Sequence, residues 1–448
     1  MGAGVTLDEE SGFALPSVLM LVLLLTMVAL SVLLMGHLRT LQAVADVARV
    51  RAELAAQSGV ARAATDRDVR DHASLLVFAD SSSATVRTLP WGLFKLAIVR
   101  GRASRATATR TALLGAAPPP AYRYALTFGS ASRQLILTGS SEIVGDLALG
   151  PMGATVGTLP GERQPPRLPV SGTILRGGGV SLPQFDDTML AAAFESSDRF
   201  LAGGTIPSAS ETGAGSFGAG GYSDSTECMV MQGNVQFSRT ISRREIPLTI
   251  YVRGDLTLTS PASIEGPVAF YVTGRVRIER GAHLDNTVLI SLGQVIVDSA
   301  VTMRGQLIAP RITIGPDALV RYPSIVCSRE ASSAGSRSIT LSRGVRCEGM
   351  VIMLRGRYTS QTGGISPRDL VIVDKDASIF GALHAEGTVT LDGTVAGTVF
   401  IEDLFFHHPP TAYYGWIRSA RINRSDLPEG FAVPQALGTE RGEVLLWM

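Results

Sequence analysis

A mainly β protein, led by one transmembrane α-helix and followed by a parallel β-helix, is the fold class this sequence predicts. Three observations predict it. An uncharged apolar run lies near the start, a helix-forming stretch follows it directly, and a short strand pattern recurs through the second half of the chain.

The apolar run comes first. From Phe13 to Met35 there is no charge and nearly every side chain is apolar, and about 20 such residues let a helix cross the hydrocarbon core of a bilayer. A cleavable secretory signal would begin with positive charge and have a shorter core. Here the start carries Asp8, Glu9 and Glu10, and the core is long. A plain signal anchor fits, and so does a processed anchor. Pro16 suits the first helical turn, where a missing N–H has no partner to lose. Leu38–Ala64 has no proline and is rich in strong helix formers. Within it Leu38, Leu41, Ala45, Ala48, Ala52 and Ala55 recur at helical spacing, and Arg49 and Glu53 are one turn apart. A helix from Phe13 to Ala64 would be a rod of about 75 Å.

The Gly12–Phe13 junction, the Ala14-Leu-Pro-Ser that follows and the apolar helix resemble the class III signal of type IV pilin-like proteins. Ala52–Ala63 looks like the segment after the membrane helix in minor pilins of the PilX type and in the K component of type II secretion. The resemblance implies that prepilin peptidase cuts after Gly12 and methylates Phe13. Residues 13–36, with Phe13, Pro16, Ser17 and Met35, would then be a single-pass anchor in the bacterial inner membrane. The bulk of the chain would be extracytoplasmic, in the periplasm or at the cell surface, and other pilin-like subunits would be its partners. Two features depart from the family. The leader is acidic where Lys or Arg is usual, and Arg39, Arg49 and Arg51 on the far side favour the opposite orientation by positive-inside counting. Ser17 stands where major pilins place a glutamate, which K-type pseudopilins also lack; the resemblance thus implies a minor or tip subunit rather than a shaft subunit.

The recurring pattern is two apolar residues flanking a variable one, then a third apolar residue six positions on, often followed by x-Gly. Leu256-Thr-Leu258 leads to Ile264-Glu-Gly266, Val276-Arg-Ile278 to Leu284-Asp-Asn286, and Val295-Ile-Val297 to Met303-Arg-Gly305. Ile339-Thr-Leu341 leads to Cys347-Glu-Gly349, Val371-Ile-Val373 to Ile379-Phe-Gly381, and an early copy runs Leu135-Ile-Leu137 to Ile143-Val-Gly145. Alternation marks a strand with one buried face, and the fixed offset marks a sharp corner. Units that cannot bury a face alone must stack. The chain therefore divides into a leader (1–12), a membrane helix (13–36), an extracytoplasmic helix (37–71), an adaptor (72–130), the start of the coil (131–157), an insertion (158–248), the main coil (249–403) and a C-terminal cap (404–448). Within the insertion, Asp186–Leu201 reads as a helix.

Lys+Arg 40 against Asp+Glu 39 gives no global argument for nucleic acid. Ser81–Ser141 is locally basic and has no acidic residue; it reads either as a solvated arginine-rich face or as an attraction to anionic lipid or polymer. Three cysteines form no disulfide framework. Outside the cytoplasm Cys327 and Cys347 are the pair to bridge, the alternative being small buried hydrophobes. An open coil needs an end cap, which Phe405, Phe406, Tyr413, Tyr414 and Trp416 fit; the alternative is an aromatic contact surface for a partner or cell-surface polymer. His407 and His408 are adjacent, and adjacent strand residues point opposite ways, which disfavours a metal. No motif points to a cofactor or a catalytic residue, there being no Walker loop, HExxH or nucleophile elbow. Two other roles stay open: a stationary envelope protein binding wall or surface polymer, and a carbohydrate-active enzyme on a coil face.

Overall fold

The computed structural model describes residues 14–66, 71–159, 164–177, 180–204, 210–212, 228–242, 247–330, 336–355, 369–439 and 442–447. The protein is mainly β, with a long N-terminal apolar helix and a parallel β-helix. The chain clusters into two compact units: Met1–Gly59 with Ser74–Val86 and Val99–Arg110, and Val60–Ala73 with Arg87–Ile98 and Thr111–Met448.

In the first unit α1 (Ala14–Thr65) is one unbroken helix as far as that unit extends. Its end packs through small residues, with Ala52, Ala55 and Ala56 buried. A side chain at Gly59 would collide with Val99 and Val86, and one at Gly101 with the Ala52 carbonyl. Leu38 and Leu41 belong to the same stripe by spacing yet are about half exposed, so only the stripe's far end is used. Glu53 pairs with Arg110. A five-stranded sheet has the order β1 (His72–Val77), β2 (Ser83–Trp91), β3 (Phe94–Ala103), β4 (Ala106–Ala116) and β5 (Gly442–Trp447). Two-residue connections between β2 and β3 and between β3 and β4 permit only antiparallel neighbours. β5 runs antiparallel to β4, pairing Val444 with Leu114. The last residues are therefore a sheet strand and not part of a cap.

The coil of the second unit has three strands per turn. In one turn these are Leu248–Arg253, Leu256–Leu258 and the start of Ser263–Val272; the rest of that last strand begins the next turn. The repeat read from sequence is the second and third strand of each turn. Its paired apolar residues and its third apolar residue all point inward, as Leu256, Leu258 and Ile264 do, into one continuous core. Each buried Leu, Ile or Val contributes about 1.5–3 kcal/mol. The x-Gly of the repeat is a stacked corner in the left-handed region: Gly266, Asn286, Gly305, Gly349, Gly381 and Gly397 have φ of 113°, 57°, 152°, 138°, 145° and 149°. At Gly397 a Cβ would drive into the Gly381 carbonyl of the turn below, so the corner needs glycine for space as well as torsion.

The order of turns differs from the order of the chain. The early copy does not precede the main block. Leu126–Phe128 pairs parallel with Val399–Ile401, and Glu142–Val144 with Arg421–Asn423, at the far end of the coil. Val170–Ser171 and Ile174–Arg176 add the turn beyond. The chain then passes through α2 (Asp187–Leu201), capped by the Asp186 carboxylate accepting from Thr188 and Met189 N–H, and re-enters at the opposite end with Ser210–Thr212, which pairs with Met229–Met231 of the strand Cys228–Gln232; that strand in turn pairs with Thr249–Arg253. Residues 158–248 thus supply coil turns and are not an insertion throughout; their short polar-flanked strands lack the six-residue offset that identifies the others.

The first strand of each turn is apolar on its outward side too. Ala269, Val288, Ile308, Ile325 and Ile352 form a second core with Trp91, Leu93, Phe94 and Leu96 of the β2–β3 hairpin. Gln306 fixes this hairpin: its Oε1 accepts from Leu93 N–H at 2.7 Å, and its Nε2 donates to the Trp91 carbonyl at 2.6 Å. These two cores overturn the expected disulfide. Cys347 lies in the inner core and Cys327 in the outer one, on opposite faces of their strands, and both are free thiols.

Candidate functional site

Two surfaces carry the residues singled out from sequence. The first is α1. Gly12 and Phe13 lie outside the described residues. Pro16 falls in the first turn of the helix, and Ser17 and Met35 are exposed on it. Among the described residues one helix is long and apolar enough to cross a membrane, and it is this one. Its exposed apolar surface does not stop at Met35. Leu38, Leu41, Val44, Val47, Val50 and Leu54 are each at least half exposed, and at 3.6 residues per turn Val44, Val47, Val50 and Leu54 share one side of the helix, away from the alanine stripe. The stripe read from sequence includes Leu38 and Leu41 but not the row of Val44, Val47, Val50 and Leu54. The row's signal was the same helical spacing.

The second is the aromatic segment. It is a hairpin that leaves the coil between two stacked turns and not a plug at the coil's end, because Leu126–Phe128 and Glu142–Val144 stack beyond it. Phe405 faces Tyr414 and Phe406 faces Tyr413 across the two strands. Phe405 and His407 stack on one side with rings 3° from parallel, while Phe406 and His408 share the other, so the two imidazoles diverge. Tyr413 meets Trp416 edge-on at 5.1 Å. Phe405 and Phe406 are buried; Tyr414 is 38% exposed. Each side carries a stacked guanidinium, Arg133 at 4.2 Å over Tyr414 and Arg418 at 4.5 Å over Phe406. Arg133 also binds Asp403 at 2.5 Å, and Arg418 reaches Asp392 at 3.4 Å. Burial pushes the Asp403 carboxyl up from its ordinary range, against the pull of Arg133. Neither arginine was predicted as part of this patch, since Arg133 and Asp403 lie far apart in sequence and meet only where the coil's two segments join.

Several basic residues of the stretch 81–141 are engaged internally: Arg87 pairs with Asp71, Lys95 is fully buried and donates to the Asp66 carbonyl, Arg110 pairs with Glu53 and Arg133 with Asp403. Among the described residues no three His, Cys, Asp or Glu side chains are grouped to hold a metal ion.

No family model and no curated protein matches the chain. Solved structures that match, distantly, include the following two. An ice binding protein from an Antarctic bacterium, Flavobacteriaceae, shares 11% identity and a TM-score of 0.20 over 68% of this chain and 98% of its own. The competence-associated pilin ComZ from Thermus thermophilus shares 11% identity and a TM-score of 0.17 over 69% of this chain and 92% of its own. Likeness this remote bears on neither activity nor partner.

Proposed function

We propose that this protein is a structural, membrane-inserted, pilin-like subunit, a minor or tip component of a type IV pilus or type II secretion-like filament, and that its coil is a contact or adhesion surface. The observation that carries the reading is the length of bare apolar helix. A hydrocarbon core of about 30 Å takes about 20 residues, and Leu15–Met35 fills it. The exposed apolar residues from Leu38 to Leu54 then continue in water unless other helices cover them. Helices of neighbouring subunits, lying alongside in the same direction, are the cover that fits. The N-terminal signal described above supports the same reading, with prepilin peptidase as the processing partner, the inner membrane as the anchor site and an extracytoplasmic coil. On the coil, Arg277–Asp298 and Arg304–Asp285 are ion pairs of the kind that hold neighbouring rungs, in keeping with a structural role.

The test is processing and assembly in a cell holding prepilin peptidase. The mature protein should begin at Phe13, and Gly12→Ala should block this. Leu41→Asp/Val47→Asp/Leu54→Asp should leave the protein in the membrane while abolishing crosslinks to other pilin-like subunits. Retention of Met1 in the wild type, or crosslinks that survive the triple substitution, would overturn the reading. The aromatic hairpin favours a second reading, a stationary envelope protein gripping surface polymer, for which Gly12→Ala has no effect and Tyr414→Ala lowers polymer retention.

A further inference from the structure

The apolar outer side of the coil's first strands is not covered evenly. Between α2 and the strands Val288–Ser291 and Gln306–Ala309 a cleft of about 580 Å³ remains, a volume typical of small-molecule sites. Its apolar lining includes Phe185, Leu190, Leu201, Ile290, Ile308 and Leu354. Its rim carries four carboxylates, Asp187, Asp198, Glu330 and Glu386, against the guanidiniums of Arg329 and Arg355. Arg329 is already clamped to Asp198 through two bonds, at 2.8 and 2.5 Å, and stacked on Phe194 at 4.1 Å. The Arg355 guanidinium reaches out to Glu402 at 3.9 Å.

Glu386 is the carboxylate built into the wall. One oxygen accepts the Arg355 N–H at 2.6 Å, and the other lies 4.0 Å from His384 Nε2. His384 is fully buried, edge-on to Phe185 at 5.0 Å, and neither ring nitrogen has a hydrogen-bond partner. An unsatisfied imidazole in a core costs stability, and here the ring lies between Phe185, Phe400 and the Glu386 carboxylate. Burial would raise the Glu386 carboxyl, but His384 and Arg355 together hold it below its ordinary range. It is thus anionic at neutral pH, with acceptor sites left over.

We propose that this cleft binds a small organic cation, an amine on an apolar body, with the ammonium on Glu386 and the body on the Ile290–Ile308 floor. The experiment uses the full chain in detergent micelles with phenethylammonium as probe and phenylacetate, the same ring with opposite charge, as control, read by saturation-transfer NMR. Phenethylammonium should bind saturably and phenylacetate at least tenfold more weakly. Glu386→Gln should weaken the amine tenfold or more, and Leu190→Trp, which fills the cleft without touching its charge, should do the same. Should Glu386→Gln fail to fold, Leu190→Trp decides alone. No saturable binding, equal binding of phenylacetate, or indifference to either folded variant overturns the site.

Discussion

Gly397 shows how a single torsion holds the coil. Its φ of 149° and the carbonyl of Gly381 directly below leave no room for a methyl group. Gly397→Ala should therefore cost about 3 kcal/mol or more, combining left-handed strain with a backbone clash, whereas Asn286→Gly, at φ 57°, should change stability by less than about 1 kcal/mol. Urea denaturation of both variants checks the pair, and equal effects would sink the explanation. These positions were visible as the x-Gly of the repeat, because stacking forces the same corner on every turn. The cysteines were half visible. Cys347 occupies the repeat's third apolar position and so had to face inward, but Cys327 lies in a strand whose two faces are both apolar, where alternation gives no direction. Burial raises both thiols to about 12. They should resist iodoacetamide at pH 8 in the native protein and react once it is unfolded, with reductant making no difference. The sign follows: a folded-state pKa above the unfolded value of about 8.5 gives stability present below that pH and lost as pH rises toward 12. A thiol that alkylates in the folded state counts against this packing.

The long helix illustrates how one pattern serves two purposes. Its small-residue stripe is continuous by spacing, yet it packs only from Ala52 onward, where a partner sheet offers Gly101 and the space around Gly59. Periodicity announces a face that can be buried; it does not say along what length a partner exists. That is why the helix was legible in sequence and its bare apolar row was not. Gly101→Val should push the helix end off its sheet, because the new side chain meets the Ala52 carbonyl and Ala56 nitrogen. A loss of about 2–4 kcal/mol is expected for overpacking against backbone, and hydrogen exchange should speed up across Ala52–Gly59 while the coil strands stay protected. Uniform loss of protection, or none, would show that the contact is not what seats the helix. The aromatic hairpin teaches the complementary lesson. Its rings were plain in the sequence, and Arg418, which stacks on Phe406, follows them closely in the chain, but Arg133, which stacks on Tyr414, is brought there only by the coil's winding.

The winding itself was the least legible feature. Each strand declares its inward face, but stacking order depends on which turn ends lie close, and parallel pairing carries no local turn to mark it. Read in order, the copy at Leu135–Gly145 should sit beneath the turn that begins at Leu248. It lies instead at the opposite end, because α2 carries the chain back along the coil before the main turns begin. The join between the two segments is held by backbone pairing of Leu126 with Val399 and Ile143 with Ile422, and by Arg421 against Glu142 at 3.3 Å. Adjacent parallel positions on a sheet surface lie within disulfide reach. In a Cys228→Ser background, with the two buried thiols left in place, Glu142→Cys/Arg421→Cys should therefore crosslink under mild oxidation. Glu142→Cys/Ser263→Cys, the pair that sequential stacking would bring together, should not. Non-reducing electrophoresis distinguishes them by the faster migration of the looped chain. The reverse result would restore the sequential coil, and with it the view that residues 158–248 are an excursion from the coil.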